Sequence, residues 1–488
     1  MGLGGKAMSS RKSLARITQA ALAVAGLAAA FPAHAIPAFA RKYGTSCLTC
    51  HTVYPKLTPF GEAFRRNGYR FPGVDSDQVK QETVALGQEA NKKSFPNAVW
   101  PASIPSSLPV AIGFNGQASF FPDKTASIPR TNAAAGGAAV GSSLDDLVAE
   151  GHLWLGAALS DTVTTWGELT FGDDGSLSLE HAQLLFNDLV GPPHAVNLVV
   201  GKGFPTLSSF GPHSSYAADA QIPTLPVTGL YGLSTDPFVL LDNYKGAEVN
   251  GVLAGRFQYA AGISNGKNSF GQRFNAENWY LSAGAKLGGM RLDGEGDAGP
   301  QDAMRPWAEE SLTVHAFAYH SNEWFPTPGG AATASNDVSF TVGGGARAMY
   351  GSAELDVGYY GQSHNHGTDA LDKVTAGVAY GELSYVVYPW LVPVLRVERM
   401  SLKPSGGSGV SDLHWMPAVA FLIRPNVKLV LAANVEQASG FPSPGGTPAA
   451  WDGGSGDSGA LVITPTAADP AAKLNELESI TAFLAWAL

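Results

Sequence analysis

The feature that most constrains this chain is an alternation of period two that runs from about residue 108 to the end. In Val427–Glu436, Leu429, Leu431, Ala433 and Val435 fall on one side, and Lys428, Asn434 and Glu436 on the other. Glu354–Tyr360 sets Leu355, Val357 and Tyr359 against Glu354, Asp356 and Tyr360. His152–Leu159 sets Leu153, Leu155, Ala157 and Leu159 against His152 and Trp154, and Thr164–Phe171 sets Leu169 and Phe171 against Glu168. A soluble sandwich turns its apolar face inwards. About sixteen such segments, in an exported chain rich in glycine, read instead as a transmembrane barrel whose polar face lines the lumen. The fold class expected is all-β, an outer-membrane β-barrel of about 16 antiparallel strands over residues 108–488.

The connections agree. Short links near Asp161-Thr162, Gly191–His194, Gly351-Ser352, Tyr388–Trp390 and Arg424–Asn426 alternate with longer stretches rich in Gly, Ser and Pro. The longer ones lie near 122–144, 204–243, 321–336, 362–372, 402–411 and 437–473. Short periplasmic turns and long external loops are the expected asymmetry of such barrels. The stretch 289–310 breaks the rule, because this register makes it a long periplasmic turn. Ile480–Leu488 reads as a closing strand. Barrels of 16–18 strands enclose an aqueous lumen, which leaves room for a plug built from residues 36–107.

Residues 1–35 have the form of a Sec-type signal peptide. Lys6, Arg11, Lys12 and Arg16 precede an apolar run from Ala20 to Phe31, and Ala33-His34-Ala35 forms the cleavage site. The run is too short to span a membrane as a helix. Its removal takes four basic residues and no acidic ones from 31 Lys/Arg against 41 Asp/Glu, leaving 27 against 41 and a net charge of −14. That balance excludes nucleic acid as a partner and suits cationic ones. No nucleophile–base–acid set appears, so no catalytic residues are assigned.

Before the barrel stands Cys47-Leu48-Thr49-Cys50-His51, the attachment pattern of a c-type haem. The two thiols add to the vinyl groups, and the adjacent imidazole becomes the proximal iron ligand. A disulfide or a thioredoxin-like pair would leave His51 unexplained, and the chain has only these 2 cysteines. A zinc site would need a further ligand, and the next histidine is His152. One covalently bound haem c is therefore expected, held by Cys47, Cys50 and His51. Export agrees, since haem c is attached outside the cytoplasm. A short helix is predicted over Pro59–Arg66, capped by Thr58, with Pro59 at its first position and Asn67-Gly68 as its left-handed stop. The stretch from Phe95 to Pro109 reads as a linker. Tyr69, Phe71 and Trp100 suit either haem packing or plain core. Residues 36–107 contain no Met and no His besides His51, so the sixth iron position is open, or is filled by Lys42, Lys56, Tyr54, the amine of Ile36 or a group from the barrel.

Over residues 37–71 the sequence is specific. Pro37–Arg41, Cys47–His51 and Tyr54-Pro55-Lys56-Leu57-Thr58-Pro59-Phe60-Gly61-Glu62-Ala63-Phe64-Arg65-Arg66-Asn67-Gly68-Tyr69 resemble the N-terminal signature of the fused outer-membrane monohaem cytochrome–porins. The barrel matches that family in length and pattern only. The resemblance implies a small α-helical haem plug in or at the mouth of the barrel, with Cys47 and Cys50 as thioether positions and His51 as proximal ligand. It also implies electron transfer across the outer membrane. In the iron-oxidase members, electrons pass from extracellular Fe(II) to a periplasmic soluble cytochrome or other carrier. The expected partners are thus outer-membrane lipid, a periplasmic electron carrier and extracellular Fe(II), and iron(II) oxidase is the candidate activity. The alternatives are an outward conduit to an extracellular acceptor, and a haem-plugged porin with no transmembrane electron transfer.

The lumen holds further candidates. Glu168, Glu354, Asp356, Glu382, Glu398 and Glu436 fall on the inner face. They would concentrate cations such as Fe(II) if unpaired, or pair with Lys428, Arg396, Arg65 and Arg66. His152, His315, His414 and Met416 share that face and are barrel candidates for the sixth ligand. His364-Asn365-His366 with Asp369 and Asp372, on an expected external loop, form either a transition-metal site or a solvated loop tip.

Overall fold

The computed structural model describes residues 38–73, 75–80, 82–84, 87–98, 104–105, 109–120, 131–132, 138–139, 150–173, 175–207, 244–265, 278–295, 304–326, 334–366, 373–404, 409–439, 450–452, 460–462 and 473–487. The signal peptide, Trp100, Asp369 and Asp372 lie outside the described residues. The barrel opens with β1 (Val110–Phe120), β2 (Glu150–Ala158), β3 (Val163–Gly172), β4 (Leu177–Phe186) and β5 (Asn197–Gly203). It continues through β6 (Tyr244–Leu253), β7 (Phe257–Ser264), β8 (Asn278–Gly288), β9 (Glu309–Pro326), β10 (Ala334–Gly351) and β11 (Ala353–His366). It ends with β12 (Lys373–Tyr385), β13 (Leu391–Pro404), β14 (Val410–Arg424), β15 (Val427–Ser439) and β16 (Lys473–Ala487). Each strand pairs antiparallel with its sequence neighbours, and β16 pairs with β1, so the sixteen close into one barrel.

Alternation decides which face meets lipid. Leu355, Val357 and Tyr359 are 44%, 39% and 58% exposed, whereas Glu354, Asp356 and Tyr360 are 6%, 5% and 0%. The apolar side chains therefore point outwards, as in a membrane barrel, and the polar ones inwards. Exposed Tyr350, Tyr385, Tyr388 and Trp390 gather near the short-turn end, where aromatic girdles meet the lipid interface. The chain is thus an outer-membrane β-barrel, and among the described residues no helix is long and apolar enough to cross a membrane.

The predicted short turns are all found. Several predicted loops are shorter than expected, because β9–β16 run for 13–18 residues while β1–β8 run for 7–11. Long hairpins go on pairing in polar sequence, since the ladder satisfies the backbone whatever the side chains. His364-Asn365-His366 accordingly belongs to β11 and not to a loop, and His364 is buried in the lumen beside Gln362. On the external side, β3 and β4 are joined by a short turn.

The N-terminal segment folds into the lumen at its short-turn end. It contains α1 (Ala38–Tyr43), α2 (Cys47–Cys50), a small hairpin of His51–Val53 with Lys56–Leu57, and α3 (Pro59–Arg66). α3 has the predicted limits and caps. Thr58 Oγ1 accepts from the Gly61 amide at 3.1 Å, Pro59 opens the helix, and Gly68 turns left-handed at φ 66°. Tyr43, Phe60, Ala63 and Phe64 make the plug core, with Phe39, Tyr69 and Phe71 packed round it.

The anomalous 289–310 stretch is explained by this plug. Met290 completes the plug core, Asn67 Nδ2 donates to the Asp293 carbonyl at 2.9 Å, and the Gly73 amide donates to Glu295 at 3.3 Å. Met290, Asp293 and Glu295 of this periplasmic turn thus support the plug from below. Arg70 also reaches the barrel, pairing with Asp188 at 2.8 Å and donating to the Asp161 carbonyl at 2.6 Å.

Candidate cofactor site in the lumen

Cys47 and Cys50 sit one helical turn apart on α2, and both are free thiols. Ser46 caps the turn through a 3.3 Å bond from the Leu48 amide. Thr58 ties α2 to α3: its hydroxyl donates to the Thr49 carbonyl at 2.9 Å, and its amide donates to the Cys50 carbonyl at 2.9 Å. α3 can approach this closely because residue 61 is glycine. A Cβ there would lie 2.1 Å from the Cys50 oxygen.

His51 leaves the turn into the hairpin. Its Nδ1 lies 3.2 Å from the Pro55 carbonyl. A carbonyl only accepts, so Nδ1 carries the proton and Nε2 keeps its lone pair. A second hydrogen bond of this kind is what orients metal-ligating imidazoles. Burial lowers the His51 pKa to about 4, holding the ring in its neutral, ligating form. Burial likewise pushes the Cys50 thiol up to about 12. The donor set and the tautomer therefore fit a c-type haem.

Two different walls face the plug. One, on β10–β13, is charged. Lys56 is buried and pairs with Glu354, which also takes Arg347 at 2.7 Å. Arg396 bridges Glu382, at 3.4 Å, and Glu398. The other, on β13–β16, is apolar. Val394 faces Ala418 across the ladder, Ala420 faces Val430, and Val430 faces Phe483. Val53 of the plug is 1% exposed and belongs to this cluster, with Leu48 of the Cys-x-x-Cys turn packed on it. Lys428 lies over the Phe483 ring at 4.8 Å, and its charge also lowers the His51 pKa.

The inner-face carboxylates are largely paired. Glu168 accepts from His152 at 3.0 Å and from His181 at 2.9 Å, and Glu354, Glu382 and Glu398 are held by cations. Asp356 accepts from Tyr380 at 3.4 Å. Glu62, not a barrel carboxylate, takes Arg65 and Arg66. The side chain of Glu436 lies outside the described residues. Of the expected sixth-ligand groups, Lys56 is committed to Glu354 and Lys42 to Asp75 at 3.4 Å. His315, His414 and Met416 are buried in the lumen as expected. His152 is linked towards His51 by rings: His51 to Tyr54 at 5.3 Å, Tyr54 to Trp154 at 6.0 Å, and Trp154 stacked on His152 at 5.3 Å. Among the described residues no cluster of three His, Cys, Asp or Glu could hold a metal ion by itself. Tyr69 and Phe71 pack in the plug core.

Sequence reasoning missed the apolar wall and the role of Gly61. The wall had a signal: from Ala418 to Leu422 the inward positions of β14 are apolar, so that strand is apolar on both faces.

No protein-family model matches the chain, and no curated protein does. Among solved structures it is similar to OmpT of Vibrio cholerae, at 12% identity and TM-score 0.48, covering 78% of this chain and 99% of that one. It is also similar to the anion-selective porin of Comamonas acidovorans, at 10% identity and TM-score 0.47 over 78% of this chain and 99% of that one. OmpF of Salmonella typhi, in complex with daunomycin, matches at 10% identity and TM-score 0.43 over 78% of this chain and 97% of that one.

Proposed function

We propose that this chain is an outer-membrane cytochrome–porin. Cys47 and Cys50 would hold one haem c covalently and His51 would be its proximal ligand. Electrons would pass from an extracellular donor such as Fe(II) to a periplasmic carrier. The observation that carries the proposal is the His51 Nδ1 bond to the Pro55 carbonyl, which puts the ring proton on Nδ1 and the lone pair on Nε2, next in sequence to two free thiols. Bound haem supplies a one-electron couple. The chain orients the imidazole, seals the motif against an apolar wall, and fixes the plug to the barrel. The plug lies at the periplasmic end, so a periplasmic carrier can meet it directly, whereas an external donor must be small enough to travel down the lumen. Fe(II) is such a donor.

The test begins with haem staining after denaturation, which should be lost in C47A/C50A. Optical redox titration in detergent follows, with Fe(II) then added to the oxidised protein. Fast reduction, at a midpoint above the Fe(III)/Fe(II) couple under the same conditions, is expected. Persistent staining in C47A/C50A would refute the attachment site. A strongly negative midpoint with no response to Fe(II) would refute iron oxidation and favour outward discharge.

A further inference from the structure

Among the described residues, several cations stand at one height on the outward faces of the strands. Lys202 of β5, Lys245 of β6, Lys373 of β12, and Arg399 and Lys403 of β13 stand towards the long-loop end. They share the face of Val200, Val249, Leu383 and Leu395, which are exposed to lipid. An outward carboxylate, Glu310, stands at the other end, beside exposed Leu312 and Val314.

Two of these cations oppose each other directly. Lys202 and Lys245 are Cα partners in the β5–β6 ladder. Like charges in that position destabilise a sheet, the more so at the edge of a hydrocarbon layer that screens poorly. Lys202 Nζ donates to the Leu179 carbonyl at 2.5 Å, which leaves two of its N–H groups for another acceptor. A second pair repeats the motif across the barrel. Lys403 faces Thr375, which sets Lys373 on its diagonal at about 7–8 Å.

We propose that each pair clamps a phosphate-bearing headgroup of the outer leaflet. A bridging phosphate turns the repulsion into two charge-assisted bonds. The acyl chains of the same molecule would run down over Val200, Val249 and Ile263, which are 42%, 40% and 54% exposed. A free anion would leave that apolar surface uncovered, so the occupant is a lipid.

The experiment uses the full mature protein in neutral detergent, titrated with bisphosphorylated lipid A and followed by native mass spectrometry and thermal shift. Lipid A should be retained and should raise the melting temperature. K202A/K245A should hold one lipid A fewer than the parent, because the altered site should bind about thirtyfold more weakly, at roughly one tenfold step or less per lysine near a charged surface, while Lys373 and Lys403 keep theirs. K202R/K245R keeps the charge, so it should bind as the parent does. Dephosphorylated lipid A should bind no better than a neutral lipid, and millimolar inorganic phosphate should leave bound lipid A in place. Equal numbers of lipid A bound by parent and K202A/K245A across the titration would overturn the site. Displacement by inorganic phosphate would overturn the lipid as its occupant. Both alanine positions are on the outer surface, and heat-modifiable migration on gels reports that the variant barrel has folded.

Discussion

The two walls that grip the plug do opposite kinds of work. The charged wall meets it through Lys56, whose side chain is 1% exposed and whose partner Glu354 is held in turn by Arg347. The apolar wall meets it through Val53 and Leu48 with no polar contact required. A porin lumen is ordinarily polar all round. A buried ion pair contributes little net stability over an apolar pair but is costly to break, so the charged wall sets the orientation of the plug. An apolar patch inside an aqueous tube excludes water, and it lies where the Cys-x-x-Cys turn and His51 emerge. The difference separates holding from hosting: one wall fixes the plug, and the other would line the surroundings of the proposed haem.

The largest effect should come from breaking the charged wall. Glu354→Ala leaves Lys56 and Arg347 buried without their shared carboxylate, a loss of about 3–5 kcal/mol for a buried pair. The plug should undock, seen as protease cleavage within residues 38–98 and as higher single-channel conductance in planar bilayers, while the barrel stays folded. Glu354→Gln should fall between parent and Ala. Parent-like conductance and protection in Glu354→Ala would show that the plug is held by other contacts alone.

How much of this was legible in the sequence depended on range. The strands were legible because alternation is local and repeats along each one. α3 was legible because Thr58, Pro59, Asn67 and Gly68 signal its limits within a few residues. The Cys-x-x-Cys-His motif was legible for the same reason. The Lys56–Glu354 pair was not, since its members lie 298 residues apart. Nor was Gly61, whose Cβ would meet a carbonyl of a different element. His364 looked like loop because polar sequence goes on pairing above the membrane. Ala418, Ala420 and Leu422 interrupt the polar inner face of β14, and in one strand that looks like noise. Their sense appears only when Val430 and Phe483 join them across two neighbouring strands.

A middling effect should follow from thinning the apolar wall. Val53→Ala removes two buried methyl groups, worth about 2 kcal/mol with the cavity they leave. The contrast with Glu354→Gln lies in the readout. Val53→Ala should shift the visible spectrum and midpoint of the loaded protein while conductance stays low. Glu354→Gln should change plug retention with a smaller spectral shift. If Val53→Ala left spectrum and midpoint untouched, the apolar wall would be mere packing, and the division between holding and hosting would fail.

The smallest effect concerns the rim, where the plug meets the periplasmic turns. Asp188 accepts from Arg70 at 2.8 Å and from the His194 amide at 2.6 Å. Burial raises its pKa, but these two bonds outweigh burial and leave the carboxyl below its ordinary value. A carboxylate depressed in the folded state stabilises fully above its unfolded pKa of about 3.9 and loses that contribution as pH falls through the folded value. The share of the plug's grip that the Asp188–Arg70 bond supplies should therefore persist from neutrality down to about 4 and weaken below it. The pair is partly exposed, so the gain at neutral pH should stay under about 1 kcal/mol. Asp188→Asn keeps the amide contact but removes the charge, so it should flatten the acid limb of a plug-release curve measured by protease access. An unchanged acid limb in Asp188→Asn would mean that the rim contacts add nothing to the hold exerted by the charged wall.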